Sequence, residues 1–252
     1  MSKRGYAILP QGGDWGISFN AIPVLNYVGN TFNNTAGNTV SAAFPAVGAV
    51  SARKFIDDNN AYRALVRFDL GTTSMKNNTA SDASGAPAGT TVEDKESIKN
   101  SNIQIGGGIE KRKGTSRVQG IYGAMAMIGK TGGSKKYTYG NAFSSTNTAP
   151  TTNNFDGNDL GGARITETKT GSGFSIGVVG FIGAEYFVAP KLSLGAEFQW
   201  GPSFQSNGKL DTTVESWDGV NNVVKTTTTS VAGGSSLGFN TAVTSINLNF
   251  FF

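Results

Sequence analysis

Apolar and polar residues alternate along most of this chain, and the alternation comes in blocks. The last block shows it plainly. In "TAVTSINLNFFF" (Thr241–Phe252), Ile246, Leu248, Phe250 and Phe252 share one face, while Ser245, Asn247 and Asn249 share the other. A period of two marks a half-exposed β-strand, because successive side chains point to opposite sides of the pleat. Eight such blocks occur, near Asp14–Val28, Pro45–Ile56, Ala61–Thr72, Ile98–Lys111, Arg117–Lys130, Ser172–Phe187, Leu192–Ser206 and Ser235–Phe252. In the first, Trp15, Ile17, Phe19, Ala21, Pro23, Leu25 and Tyr27 fall on one face. In the third, Tyr62, Ala64, Val66, Phe68 and Leu70 oppose Arg63, Arg67 and Asp69. In the fourth, Ile103, Ile105 and Ile109 oppose Asn102, Gln104 and Glu110. In the sixth and seventh, the minor face carries Glu185 and Glu197. The second and fifth alternate less cleanly, and leave Arg53 and Met125 without a face.

The breaks between blocks are of two kinds. Asp57–Asn60, Arg112–Ser116 and Val188–Lys191 are short and rich in turn formers, as hairpins require. Gly29–Phe44, Thr73–Ser97, Thr131–Gly171 and Asn207–Gly234 are long and dense in Asn, Thr, Ser and Gly. Long structureless loops are uncommon in a compact domain. Short turns at one rim and long loops at the other are the rule in outer-membrane barrels. Within the long segments, Lys135–Gly140 is expected to pair with Arg164–Thr170. Lys209–Ala232 is expected to fold as a hairpin about "DGVNN", and Thr73–Ser97 to be the most irregular.

Composition narrows this further. Charged residues make up 15% of 252 and glycines number 35, against roughly 25% charged and about 7% Gly in ordinary soluble domains. Mean hydropathy is nevertheless −0.20. No stretch reaches the roughly 18 apolar residues of a membrane helix, and the best candidate, "FSIGVVGFIGAEYF" (Phe174–Phe187), is glycine-rich. The prediction is an all-β fold: a closed, eight-stranded, antiparallel up-and-down transmembrane β-barrel. It has short periplasmic turns and long extracellular loops, spans residues 13–252, and follows a periplasmic N-terminal segment, 1–12. The basic opening lacks the apolar core of a signal peptide, so the chain reads as a mature form.

The bulky face is continuous and the other mixes glycine with charge. An eight-stranded barrel is only wide enough for side chains to fill, so the glycine-and-charge face is expected inside. This predicts a lumenal polar network of Arg63, Arg67, Asp69, Arg117, Glu185 and Glu197. Trp15, Tyr27, Tyr186, Trp200, Phe250 and Phe252 are expected as rim aromatics. Gly107, Gly120, Ala124 and Gly180 are small positions on the outer face, where a close neighbour can approach. "EKRKG" (Glu110–Gly114) reads as a solvated turn, and no nucleic-acid partner is predicted.

The chain has no cysteine and no histidine. Thiolate nucleophiles, disulfides and the commonest metal ligand and general base are therefore excluded. No G-x-S-x-G elbow occurs, and "GGGIEKRKG" lacks the closing GK[ST] of a phosphate loop. No catalytic residue, metal site or cofactor is predicted.

With "INLNFFF", "GDWGISFNAIPVLNYVGN", "YRALVRFDLG" and "FSIGVVGFIGAEYF" in view, the chain resembles the small eight-stranded outer-membrane β-barrels of Gram-negative bacteria, the OmpA/OmpX type. The resemblance implies a bacterial outer-membrane location and surrounding lipids and lipopolysaccharide. It also implies recognition of Ile246, Leu248, Phe250 and Phe252 by the barrel-assembly machinery. No peptidoglycan-binding domain is expected after Phe252. Family members are structural, adhesive, lipid-modifying or accessory to larger machines, and fold does not choose among them. The expectation is a non-enzymatic structural or interaction protein, an accessory subunit of a larger outer-membrane complex with an unidentified protein partner. The alternative is a small pore for ions or small solutes. A lipid-modifying enzyme and a soluble lipocalin-like binder are the remaining readings.

Overall fold

The computed structural model describes residues 5, 7–33 and 49–252. Stretch 34–48, including the start of the second predicted strand and most of the Asn-rich connection before it, lies outside the described residues. Among the described residues ten strands and one helix follow in order: β1 (Trp15–Asn20), α1 (Ile22–Phe32), β2 (Ala49–Phe55), β3 (Asn60–Ala80), β4 (Thr91–Lys113), β5 (Val118–Thr138), β6 (Ala163–Ala189), β7 (Leu192–Ser206), β8 (Leu210–Asp218), β9 (Val223–Val231) and β10 (Ser235–Phe251). Every pairing is antiparallel. Strands β1 to β7 pair in sequence, β7 pairs with β10, and β10 returns to β1, which closes a ring of eight.

All three short connections lie on one rim, at 56–59, 114–117 and 190–191. At the first, Asp57 accepts from the backbone N–H groups of Asn59 and Asn60, both at 2.8 Å. At the second, Gly114 takes φ 144°, and a Cβ there would sit 2.8 Å from the Val118 carbonyl oxygen. Ile8 and Leu9 pack against Phe55, Ala61, Phe187 and Phe251.

The other rim is built up rather than loose. β3 and β4 stay paired out to Ala80 and Thr91, so Thr73–Ser97 is mostly ladder, not an irregular loop. Lys135–Thr168 and Lys136–Glu167 are register partners, as the sequence suggested. β8 and β9 form the predicted hairpin, and β8 adds to the edge of β6. Stretch 139–162 folds over this end, with Phe143 and Phe155 buried in it.

The predicted first strand is corrected most. It stops at Asn20, and the residues expected to continue it enter α1. Proline cannot donate to a strand ladder but fits the first turn of a helix, where its N–H would be orphaned anyway. Pro23 occupies that turn, and Asn20 Oδ1 accepts from the Ile22 N–H at 2.9 Å.

The two faces sort as expected. Along β3, Tyr62, Val66, Phe68 and Leu70 are exposed, while Ala61, Arg63 and Leu65 are buried. Ile103, Ile105, Ile109, Tyr122, Ile128, Phe174, Ile176, Val178, Ile182, Phe198, Phe204 and Phe250 continue the outward apolar belt. Inward glycines make room. A Cβ at Gly16 would lie 2.7 Å from the Phe251 ring, and one at Gly123 would lie 2.6 Å from Phe181.

Candidate functional site

Six charged side chains converge inside the ring, each from an inward position of its strand. They are Arg53 on β2, Arg63 on β3, Glu110 and Arg112 on β4, Glu185 on β6 and Glu197 on β7; all are buried. Glu110 is the hub. Its Oε2 lies 2.9 Å from Arg53 Nε and 3.4 Å from Arg63 NH1, and its Oε1 lies 3.1 Å from Arg112 Nε. Glu185 takes Arg53 at 2.6 Å and Arg112 at 2.5 Å, which closes a four-membered cycle of alternating charge. Glu197 holds Arg63 through two contacts, 2.6 and 3.2 Å, and also accepts from Gln199 at 2.6 Å. Three arginines face three glutamates, so the cluster carries no net charge. Buried charge persists only when paired; every charge here is paired, while Arg63 Nε and Arg112 Nη1 are buried without an acceptor.

Aromatic rings cover what the carboxylates leave. The Arg112 guanidinium sits 4.9 Å from the Phe55 centroid and 5.2 Å from that of Phe251. Arg63 sits 4.5 Å from Phe181. The ring faces attract these cations in a dry setting. Below the charges lies the Phe55–Phe187–Phe251 layer, and above them a layer of Leu65, Met125 and Phe181.

Of the residues expected in a lumenal network, the structure brings together Arg63, Glu185 and Glu197. Arg67 is inward but sits higher and donates to Gln104 Oε1 at 3.0 Å. Asp69 is exposed beyond it. Arg117 is exposed at the near-rim turn and donates to the carbonyls of Phe187 and Val188. Arg117 precedes β5 and lies in the near-rim turn, short of the inward positions that begin at Gln119. Arg53, Glu110 and Arg112 complete the network. "EKRKG" is thus not a solvated turn: Glu110 and Arg112 point inward while Lys111 and Lys113 stay out. The signal was the period of two running through the charge cluster.

Neither a protein-family model nor a curated protein matches the chain. What the interior can do is argued from its chemistry. Each of its three carboxylates is held by at least one guanidinium, and arginine does not release a proton in the working range. Such a cluster is suited to filling and bracing the ring, not to moving protons.

The remaining predicted positions lie on the outer wall. Ile246 and Leu248 are half-buried, and Phe250 and Phe252 exposed, at the seam with β1. Trp15, Tyr186, Phe250 and Phe252 cluster near the short-turn rim, whereas Tyr27 belongs to α1. Gly180 lies under Trp200, whose ring a Cβ would meet at 3.3 Å; Gly107 has nothing within 4 Å.

A second polar cluster, missed by the sequence reading, caps the far rim. Asp94 accepts from Gly140 N and Asn153 N at 2.8 and 2.7 Å. Arg164 lies 4.1 Å from the Tyr139 ring and pairs with Glu215 at 2.7 Å. Burial pushes the phenols of Tyr137 and Tyr139 up to about 12, with Glu96 adding to the shift of Tyr137.

Proposed function

We propose that the chain is an eight-stranded β-barrel of the bacterial outer membrane with a side-chain-filled lumen. It acts without catalysis, as a structural or interaction protein and an accessory subunit of a larger outer-membrane assembly. One observation carries this reading. The bulky apolar side chains form a continuous outward belt, while the balanced Arg–Glu cluster lies inside. A soluble binding barrel has the opposite polarity. The lumen narrows to packed side chains at the charged cluster and again at the Phe55–Phe187–Phe251 layer, which favours a plug over the alternative of a small pore.

Lipids and lipopolysaccharide would surround the belt, and the outward face of β10 would be read during assembly. The open outer surface at Gly107 and Ala124 suits contact with another membrane protein, and the built-up far rim suits contact outside the cell. Two measurements test the reading. The full chain should float with liposomes, resist extraction by carbonate and need detergent to dissolve. Extraction into plain buffer as a folded monomer would end the proposal. In planar bilayers no stable conductance steps are expected; regular openings would replace the plug with the pore.

A further inference from the structure

Above the Leu65–Met125–Phe181 layer the interior opens into a cavity of about 330 Å³. Its polar lining includes Arg67, Asn102, Gln104, Ser175, Gln199 and Ser203, drawn from four strands. The polar part of the lining is neutral hydrogen-bonding groups around one cation, and Met127, Ile176, Val179, Trp200 and Pro202 supply an apolar part. Among the described residues Arg67 makes no ion pair within 4.0 Å, while the cluster below it is already neutral by itself. Its single protein acceptor is Gln104 Oε1, and its Nε is buried without an acceptor. A guanidinium presents five donors in a planar fork shaped for carboxylate or phosphate. Here, among the described residues, only Nη1 makes a protein hydrogen bond, and the Arg67 side chain lines the cavity.

We infer that this cavity is a binding site for a small soluble oxyanion of the phosphate or carboxylate class, held by the Arg67 fork. The amides of Asn102, Gln104 and Gln199 and the hydroxyls of Ser175 and Ser203 supply neutral donors around it. Among the described residues β1 ends at Asn20, opposite Asn247, and β2 begins at Ala49, opposite Arg67, so no strand bridges β3 and β10 at the level of the cavity, and a soluble anion can reach it from that side or from the far rim. Asp69 stands on the same face two residues beyond Arg67 and is exposed. The inference goes beyond the proposed function and holds whether the outer wall faces lipid or water.

The test is titration calorimetry of the purified full chain with inorganic phosphate and, separately, with succinate, at ionic strength fixed by sodium chloride. The wild type should bind at least one of the two saturably, one per chain. Arg67→Gln should weaken binding at least tenfold, and Asp69→Asn should leave it unchanged or tighter. Lys169→Gln, on the outer surface, should leave it unchanged. No saturable binding by the wild type, or binding that survives Arg67→Gln or is lost in Lys169→Gln, overturns the inference. A readout free of any variant is the Arg67 Nε–H resonance of the nitrogen-labelled chain. It should shift on addition of the bound anion and saturate with the calorimetric Kd; a resonance that stays fixed refutes the site.

Discussion

At the scale of single residues, Glu110 bears the largest electrostatic responsibility in the ring. It touches Arg53, Arg63 and Arg112, all buried. Removing one partner from a buried ionic network typically costs about 3–5 kcal/mol, because the partners left behind stay desolvated and uncompensated. Glu110→Ala is therefore expected to lower unfolding stability by about that amount, read as a shift in urea midpoint. Arg117→Ala, at an exposed turn, is expected to fall within about 0.5 kcal/mol of wild type. Residue-scale legibility in the sequence follows from strand phase. Arg63, Glu185 and Glu197 sit in blocks of clean alternation, and all three are buried. Arg53 sits in "SARKF", where Lys54 and Arg53 are both charged and phase is ambiguous. The structure resolves it: Arg53 is buried inside, and Lys54 lies over the outward Trp15 ring at 4.8 Å.

At the scale of elements, hairpins were legible because turn chemistry and alternation agree there. α1 was not, because "AIPVLNYV" also alternates and only the proline argues against a strand. The length of β3 and β4 was hidden for another reason. Their far halves carry Asn, Thr, Ser and Lys on both faces, so no hydrophobic period marks them, yet the ladder continues. The β8–β9 hairpin lies outside the eight-strand ring. Leu210 and Val231 are register partners, so replacing 211–230 by Asn-Gly closes the hairpin at its base. The ring should still form, with heat-modifiable mobility on gels retained; loss of the folded band would show that the hairpin is needed for closure.

The far-rim cap has its own pH dependence. The Tyr137 and Tyr139 phenols ionise near 12 in the fold against the ordinary 10. A raised folded value favours the protonated form. The contribution is thus complete below pH 10 and is lost as pH rises from 10 to 12. Absorbance at 295 nm should show two tyrosines titrating late, and amide exchange in 139–162 should quicken across that window while the near-rim strands stay protected.

At the scale of the whole molecule, the question is which solvent the belt meets. Ile105, exposed at mid-wall on β4, answers it. Arginine at a bilayer midplane costs about 2–4 kcal/mol, whereas an exposed position in water tolerates it within about 0.5 kcal/mol. Ile105→Arg should therefore reduce folding stability in phospholipid vesicles by the larger amount. Equal stability to wild type there would argue that the wall is wet.

The seams that β1 makes with β2 and with β10 are the two shortest joins in the ring, and the one with β10 links the two ends of the chain. Its rungs run only from Gly16–Phe251 to Asn20–Asn247, against Asn60–Lys111 to Ala80–Thr91 for β3 with β4. Trp15 and Phe252 are hydrogen-bonded to each other at its mouth. A mechanical load applied between the two ends of the chain therefore falls straight on this zipper, one rung after another. Tugged by its termini in an optical trap, the molecule should tear open there at low force, and the broad panel from β3 to β7 should yield only afterward, in a separate and much larger step.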